Sequence, residues 1–350
     1  MKNNTNGDNK PLVSIIMSIY NGSQFLFDSV NSILNQTYTN FEFIIVDDGS
    51  TDSSYELIKK FSDNNNKVKV FKRAHYGLAN SLNFAISKSK GEYIARMDAD
   101  DISKEVRIEK QVKYLEKNKN VDLLGSNRKN FGNINKNNFS KLPTNNNIIK
   151  WHLFFSVPII HPAIMVRADI LKSQNGYSEE YKYAQDYELY TRLSKTSNFH
   201  NLSEALIEYR NHHCRDLTNY HKEQLNCVIK IRRDYIGRFL KRKISTKEVR
   251  LFTEFDRKQI ISLYDLMDAV KIIKKIKIIF KSRYKINSFE ESAVNEYIAL
   301  KLLNSIKYQY HFGIMVILYL FFNSLLFNKG LLLKKLTWWN LKTATFNCIN

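Results

Sequence analysis

The stretch Phe41-Glu42-Phe43-Ile44-Ile45-Val46-Asp47-Asp48-Gly49-Ser50-Thr51-Asp52 carries the decisive pattern of this chain. Its first half is an apolar run that reads as a buried strand, and its second half is a turn of acidic and small residues. The same combination returns where Tyr93-Ile94-Ala95-Arg96-Met97 leads into Asp98-Ala99-Asp100-Asp101. An ordinary soluble fold has no need of clustered carboxylates where buried strands reach solvent. A fold that holds a nucleotide and a divalent cation does.

Working outward, Leu12 to Ile19 is a further apolar strand, broken by Tyr20-Asn21-Gly22. Leu26, Val30, Ile33 and Leu34 then fall on one face of a helix. A second helix starts at Ser53 or Ser54, with Tyr55, Ile58 and Phe61 inward, and Val68 to Phe71 is a third strand. Leu78, Leu82, Ala85 and Ile86 return to helical spacing, Tyr93 to Met97 is a strand, and Ile108, Val112 and Leu115 mark another helix. This βαβα series predicts a mostly parallel sheet with helices on both faces. Ligands of such sheets sit at the carboxyl ends of the strands, where both acidic clusters fall. The stretch from Ser126 to Asn147, dense in Asn, Lys and Gly, reads as loop. A short strand passes through Met165 and Val166, and Asp186 lies early in a helix that buries Leu189, Tyr190 and Leu193.

A chain of 350 residues can bury one large core or two modest ones. The expected organisation is a flexible, Asn-rich segment 1–10, an α/β domain over 11–215, and a helical region over 216–350. Cys214, Cys227 and Cys348 are scattered and odd in number, so no disulfide framework follows from them. The formal charge of +20 is uneven: residues 1–229 carry +5, residues 230–285 carry +12 and residues 286–350 carry +3. So basic a segment suits an anionic membrane surface, a solvated lysine-rich face or nucleic acid. No motif for base recognition accompanies it, and no nucleic-acid partner is expected. The apolar run from Gly313 to Phe327 spans about 22 Å as a helix, short of a hydrocarbon core of about 30 Å. It reads as a shallow or re-entrant membrane helix or as a helix buried against its neighbours, and together with the Leu, Lys and Trp of residues 331–339 it favours peripheral membrane attachment over spanning.

Three acidic positions could carry chemistry. Asp98 and Asp100, one residue apart at a strand end, offer hard oxygen ligands for Mn²⁺ or Mg²⁺, although an exposed acidic turn would have the same spelling. Asp47 and Asp48 can accept hydrogen bonds from a base or ribose, or can simply cap the turn. Asp186 can act as a general base, or can be a carboxylate favoured by a helix start.

The ordered series PLVSIIMSIYN (11–21), SVNSILNQTYTNFEFIIVDDGSTDSS (29–54), GLANSLNFAI (77–86), GEYIARMDADDISKEVRIEKQV (91–112), HPAIMVR (161–167), QDYELYTRL (185–193) and EYRNHH (208–213) resembles the family 2 glycosyltransferases of the GT-A fold. That family includes many bacterial enzymes that build capsule, lipopolysaccharide and other surface glycans. The resemblance covers about residues 11–215. It implies that Asp48 reads the uracil ring with Ser18 and Tyr20 beside it. It also implies that Asp98 lies near the ribose, that Asp100 holds the diphosphate through Mn²⁺ or Mg²⁺, and that Asp186 is the catalytic base. Gln185 stands where many relatives have glutamate. Arg210 and His212 resemble an Arg-x-His element near the diphosphate or acceptor.

The resemblance therefore implies a cytoplasmic inverting transferase that moves a sugar from a UDP-sugar to a saccharide or lipid-linked saccharide. A non-catalytic nucleotide-sugar-binding scaffold subunit would retain the same nucleotide motifs and is the rival reading.

Overall fold

The computed structural model describes residues 10–132, 139–211, 218–253, 263–309, 322–324 and 326–328. The chain divides into two compact units, Met1–Val228 and Ile229–Asn350.

The first unit is built on a single sheet. Strand β1 (Val13–Ile19) is followed by α1 (Ser23–Leu34), β2 (Phe41–Asp47), α2 (Ser54–Asn64), β3 (Val68–Lys72), α3 (Leu78–Lys88) and β4 (Tyr93–Met97). A two-residue strand β5 (Ile102–Ser103) precedes α4 (Arg107–Lys117) and β6 (Leu123–Gly132). The rest is α5 (Asn146–His152), a 3₁₀ turn at His161–Ala163, β7 (Met165–Arg167), α6 (Ala168–Ser173), α7 (Gln185–Leu193) and β8 (Phe199–Asn211). The eight strands lie in the order β3-β2-β1-β4-β7-β6-β8-β5. The first four are parallel, β7 runs against β4 and β6, and β6 runs parallel to β8. An α/β fold with a largely parallel central sheet, followed by helices, is thus the observed architecture.

The parallel strands are continuous apolar runs because helices cover both of their faces. Ile15, Ile16, Phe43, Ile44, Ile45, Ile94 and Ala95 are essentially inaccessible. The chain winds outward from β1 to β3 and then crosses back to place β4 on the other side of β1. That reversal is a topological switch point, which opens a crevice at the carboxyl ends of β1, β2 and β4. Ile19, Asp47 and Met97 end these strands, so Tyr20, Asp48 and Asp98 emerge there.

One expectation is corrected. Residues 126–132, read from sequence as loop, continue strand β6, and α5 begins at Asn146. The pairing with β8 supplies what the polar side chains do not, with register shifts around Asn127. The asparagines are used inside the structure. Asn127 Oδ1 accepts from Leu142 N at 2.9 Å, and Asn201 Nδ2 donates to the carbonyls of Pro143 and Pro158.

Asp52 shows how the acidic turn organises its neighbours. Its two oxygens accept from Ser23 N at 3.1 Å and Ser54 N at 3.0 Å, at the starts of α1 and α2. Burial opposes its charge, but the bonds from Ser54 and Ser23 hold the carboxyl down at about 2. Replacing Asp52 with alanine should cost about 1–2 kcal/mol of unfolding free energy. Because the folded group is the stronger acid, that contribution is present at neutral pH and disappears as pH falls toward about 2. Urea titrations of both proteins at neutral and acidic pH check this, and curves that stay equally separated in acid contradict it.

The second unit is helical: the end of α8 (Thr218–Leu240), then α9 (Thr246–Thr253), α10 (Leu263–Tyr284) and α11 (Ser288–Gln309). Leu266, Val270, Ile273, Ile276, Phe280, Val294, Ile298 and Leu302 form its buried stripe. Arg283 lies over the Phe239 ring at 4.1 Å and donates to the Phe239 carbonyl. No helix among the described residues is long and apolar enough to cross a membrane. Most of the apolar run 313–327, the segment 331–339 and nearly all of segment 1–10 lie outside the described residues.

Candidate active site

The group at the ends of β1 and β2 is built around Asp48. Its carboxylate is 1% exposed. Oδ1 accepts from Tyr76 N at 3.0 Å and Ser81 Oγ at 2.6 Å, and Oδ2 accepts from Gly77 N at 2.9 Å. His75 Nδ1 lies 2.9 Å from Oδ2. Asp48 therefore fastens the turn that feeds α3. Gly49 makes this approach feasible, since its φ is +79° and a Cβ there would stand 2.8 Å from His75 N. The His75 ring stacks on Tyr20, with centroids 4.0 Å apart, and Tyr20 is half exposed. Ser18 pairs in register with Val46 beside them, and Asp47 is fully buried, one oxygen accepting from Ser50 N. His75 escaped the sequence reading because its partners, Asp48 and Tyr20, lie far from it in the chain.

The second group is the acidic turn after β4. Oxygens of Asp98, Asp100 and Asp101 all lie within 4.8 Å of one another. Arg96, buried on β4, forms a two-pronged ion pair with Asp98. Arg107 lies beneath, fully buried, donating to the carbonyls of Arg96 at 2.7 Å and Ile164 at 3.2 Å. An arginine in a five-residue buried strand was the available signal for this arrangement. Burial and then the charges of Asp98 and Asp100 push the Asp101 carboxyl up to about 8. Asp101 Oδ1 accepts from Arg210 N, whereas buried Oδ2 has no hydrogen-bond partner among the described residues. Three crowded carboxylates with one unsatisfied buried oxygen form a hard-oxygen donor set that fits a divalent cation.

Arg210 serves this turn from β8. Its Nε donates to the Asp100 carbonyl at 2.8 Å, and its guanidinium lies against Phe25 and Phe131 at 4.0 and 4.5 Å. Its neighbour in the motif, His212, lies outside the described residues.

Asp98 opens on a cleft of about 640 Å³, lined also by Arg128, His161, Tyr183, Gln185, Asp186 and Tyr209. Asp186 enters it because Ala184 adopts a left-handed φ of 60° immediately before α7. Its Oδ1 accepts from Tyr187 N at 2.8 Å. Desolvation raises the Asp186 carboxyl above the usual range, against the pull of the Tyr187 N–H and of Arg96. Gln185 donates to the Lys182 carbonyl at 2.5 Å, a bond that an ionised glutamate could not make. His161 Nε2 and Tyr177 Oη are 2.8 Å apart beside these groups, and desolvation, then the Arg96 charge, push the imidazole well below its ordinary range.

The structure thus brings Asp98, Asp100 and Asp101 into one cluster, and Asp98 and Asp186 into one cleft. Ser18, Tyr20, Asp47 and Asp48 form a neighbouring group at adjacent strand ends. Leu78 links the two, because it lines the cleft and directly follows the Gly77 amide bound to Asp48.

A sheet with this switch point and these acidic strand ends defines the GT-A class of α/β folds. Solved structures agree on the fold. Staphylococcus aureus TarS 1–349 in complex with UDP-GlcNAc superimposes with a TM-score of 0.55 at 16% identity, over 86% of this chain and 89% of that one. The mannosyltransferase PcManGT from Pyrobaculum calidifontis, in complex with GDP-Man and Mn²⁺, gives a TM-score of 0.53 at 13% identity over 92% and 88%. In sequence, residues 14–172 match Glycosyl transferase family 2. An uncharacterized glycosyltransferase of Haemophilus influenzae is 32% identical over 86% of this chain and 92% of its own length. The O-antigen biosynthesis glycosyltransferase WbnJ of Escherichia coli is 35% identical over 57% of this chain and 80% of that protein. The chain belongs to glycosyltransferase family 2.

Proposed function

We propose that this protein is a metal-dependent inverting glycosyltransferase. It moves a sugar from a nucleoside diphosphate donor, UDP by preference, to a saccharide or lipid-linked saccharide of a surface glycan. The observation that carries the proposal is the convergence of Asp98 and Asp186 on one cleft, with the Asp98–Asp100–Asp101 cluster at its edge.

Asp186 removes the proton from an acceptor hydroxyl, and the freed oxygen attacks the anomeric carbon as its bond to the diphosphate breaks. A single displacement inverts the centre, so an α-linked donor gives a β-glycoside. Asp98, Asp100 and Asp101 would hold a divalent cation, which would supply positive charge to the leaving diphosphate. Arg210 keeps the Asp100 carbonyl and the Asp101 carboxylate of that turn in place. Tyr20 and His75 present aromatic surface for the base, and Asp48 orients it by fixing the turn at 75–77. Residues 11–215 are the catalytic domain in this reading.

Nucleoside diphosphate release from UDP-, GDP- and dTDP-sugars with Mn²⁺ present tests the reaction. Asp100→Ala should lower turnover by roughly 10²-fold or more. Tight UDP binding with no turnover on any donor and acceptor would sink the proposal in favour of a scaffold.

The similarity to WbnJ supports a surface-glycan context. The basic segment 230–285 and the exposed Ile278 and Phe289 support attachment to the anionic inner face of the membrane. Attachment of this kind should be released by about 1 M salt, where the screening length is about 3 Å. Retention in the pellet after such a wash contradicts a peripheral, charge-driven mode.

A further inference from the structure

The second unit contains a cleft that glycosyl transfer does not use. Helix α8 ends at Leu240, Lys241 takes a left-handed φ of 53°, and the chain folds back so that Arg242 N donates to the Gly237 carbonyl at 3.1 Å. Gly237 permits this approach, since a Cβ there would already crowd the Arg242 carbonyl at 3.1 Å. The reversal borders an open cleft of about 490 Å³, with Gly237 and Ile244 forming part of the wall. Arg233, Arg238, Arg242 and Lys243 line it, and Asp234 is the one acidic residue among the lining side chains.

Two of these cations are already balanced. Arg233 pairs with Asp234 at 3.2 Å, and Arg242 pairs with Glu248 at 2.7 Å. Glu248 is further committed to the start of α9, accepting from Ser245 N while Ser245 Oγ accepts from Glu248 N. The side chains of Arg238 and Lys243 have no hydrogen-bond or ion-pair partner among the described residues, and both are exposed at the cleft. The negative end of α8 is equivalent to about half a charge and cannot balance two such cations.

We propose that this cleft binds a phosphate group, held by Arg238 and Lys243 with Arg242 beside them. Arginine offers a planar pair of donors to two phosphate oxygens, and lysine adds a mobile point charge. The ligand is a phosphate ester, either in the headgroup of an anionic lipid or in a soluble molecule. The proposal does not depend on the transferase reading, because none of these residues lies in the acidic cleft.

The test uses the full chain without divalent cations and two probes. One is inorganic phosphate, followed by calorimetry; the other is phosphatidylcholine vesicles with and without phosphatidylglycerol, followed by co-sedimentation. The double variant Arg238→Ser, Lys243→Ser is compared with Lys59→Ser, Lys222→Ser, which removes the same charge from exposed positions outside both the cleft and the basic segment 230–285. The cleft variant should bind at least one probe about tenfold or more weakly, with the control variant within about threefold of the parent. The charge-preserving exchange Arg238→Lys, Lys243→Arg should recover much of the loss. An effect on inorganic phosphate identifies a soluble-ligand site, and an effect on phosphatidylglycerol vesicles alone identifies a headgroup site. Equal losses in the cleft and control variants, or no binding of either probe by the parent, overturn the proposal.

Discussion

Asp186→Asn should lower turnover by roughly 10²–10⁴-fold, the range expected on losing a positioned general base, and should do so without loss of stability. The amide has nearly the shape of the carboxylate, and its oxygen can keep the hydrogen bond from Tyr187 N. It cannot accept a proton from the acceptor. The stability half of the expectation follows from desolvation, which raises the folded-state pKa of this group. An acid whose folded pKa is raised binds more protons in the native state, so its contribution becomes less favourable as pH rises past the ordinary carboxylate range. Asparagine carries no such penalty, so the melting temperature at neutral pH should stay level or rise. Donor KM should change little, since no donor contact is assigned to Asp186. Unimpaired turnover in the asparagine variant would remove Asp186 from the chemistry.

The second large effect belongs to stability. Asp48→Ala should cost about 3–5 kcal/mol, because it strands the Tyr76 and Gly77 amides, the Ser81 hydroxyl and the His75 ring nitrogen around a buried site. The urea midpoint should fall with little change in slope, the signature of lost native-state bonds. Asp48→Asn should fall between the parent and the alanine variant, since the amide oxygen can still accept while its nitrogen meets a donor. A residue whose only task was to read a base would alter donor binding and leave the midpoint where it was. A midpoint unmoved by the alanine substitution therefore refutes the anchoring role.

The parallel half of the sheet was legible because runs such as Ile15–Ile16 and Phe43–Val46 are buried on both faces and can hardly be anything else. Strand β6 beyond Ser126 was not legible, because Asn, Arg and Lys dominate it and its pairing with β8 depends on residues more than seventy positions away. The site followed the same division. Asp98, Asp100 and Asp186 could be picked out as carboxylates at strand or helix ends. The role of the Arg210 guanidinium, which fastens the Asp100–Asp101 turn between two phenylalanines, could not, since only the fold brings Phe25 and Phe131 to it. Asp101 stood in the quoted acidic run, yet its buried, unsatisfied oxygen is a property of packing that spelling does not record.

The close passage of Gly49 behind His75 fixes the backbone there, while the ring keeps one anchored edge and one open face. Residue 49 is locked, and the main chain at 75 is locked with it, while the imidazole projects outward against Tyr20 with about half of its surface open. Position 75 thus combines a fixed main chain with a ring that is tied at one edge to Asp48 and open at the face it turns to Tyr20. In the proposed reading, a substitution there changes the surface offered to the base and at the same time releases the contact with Asp48.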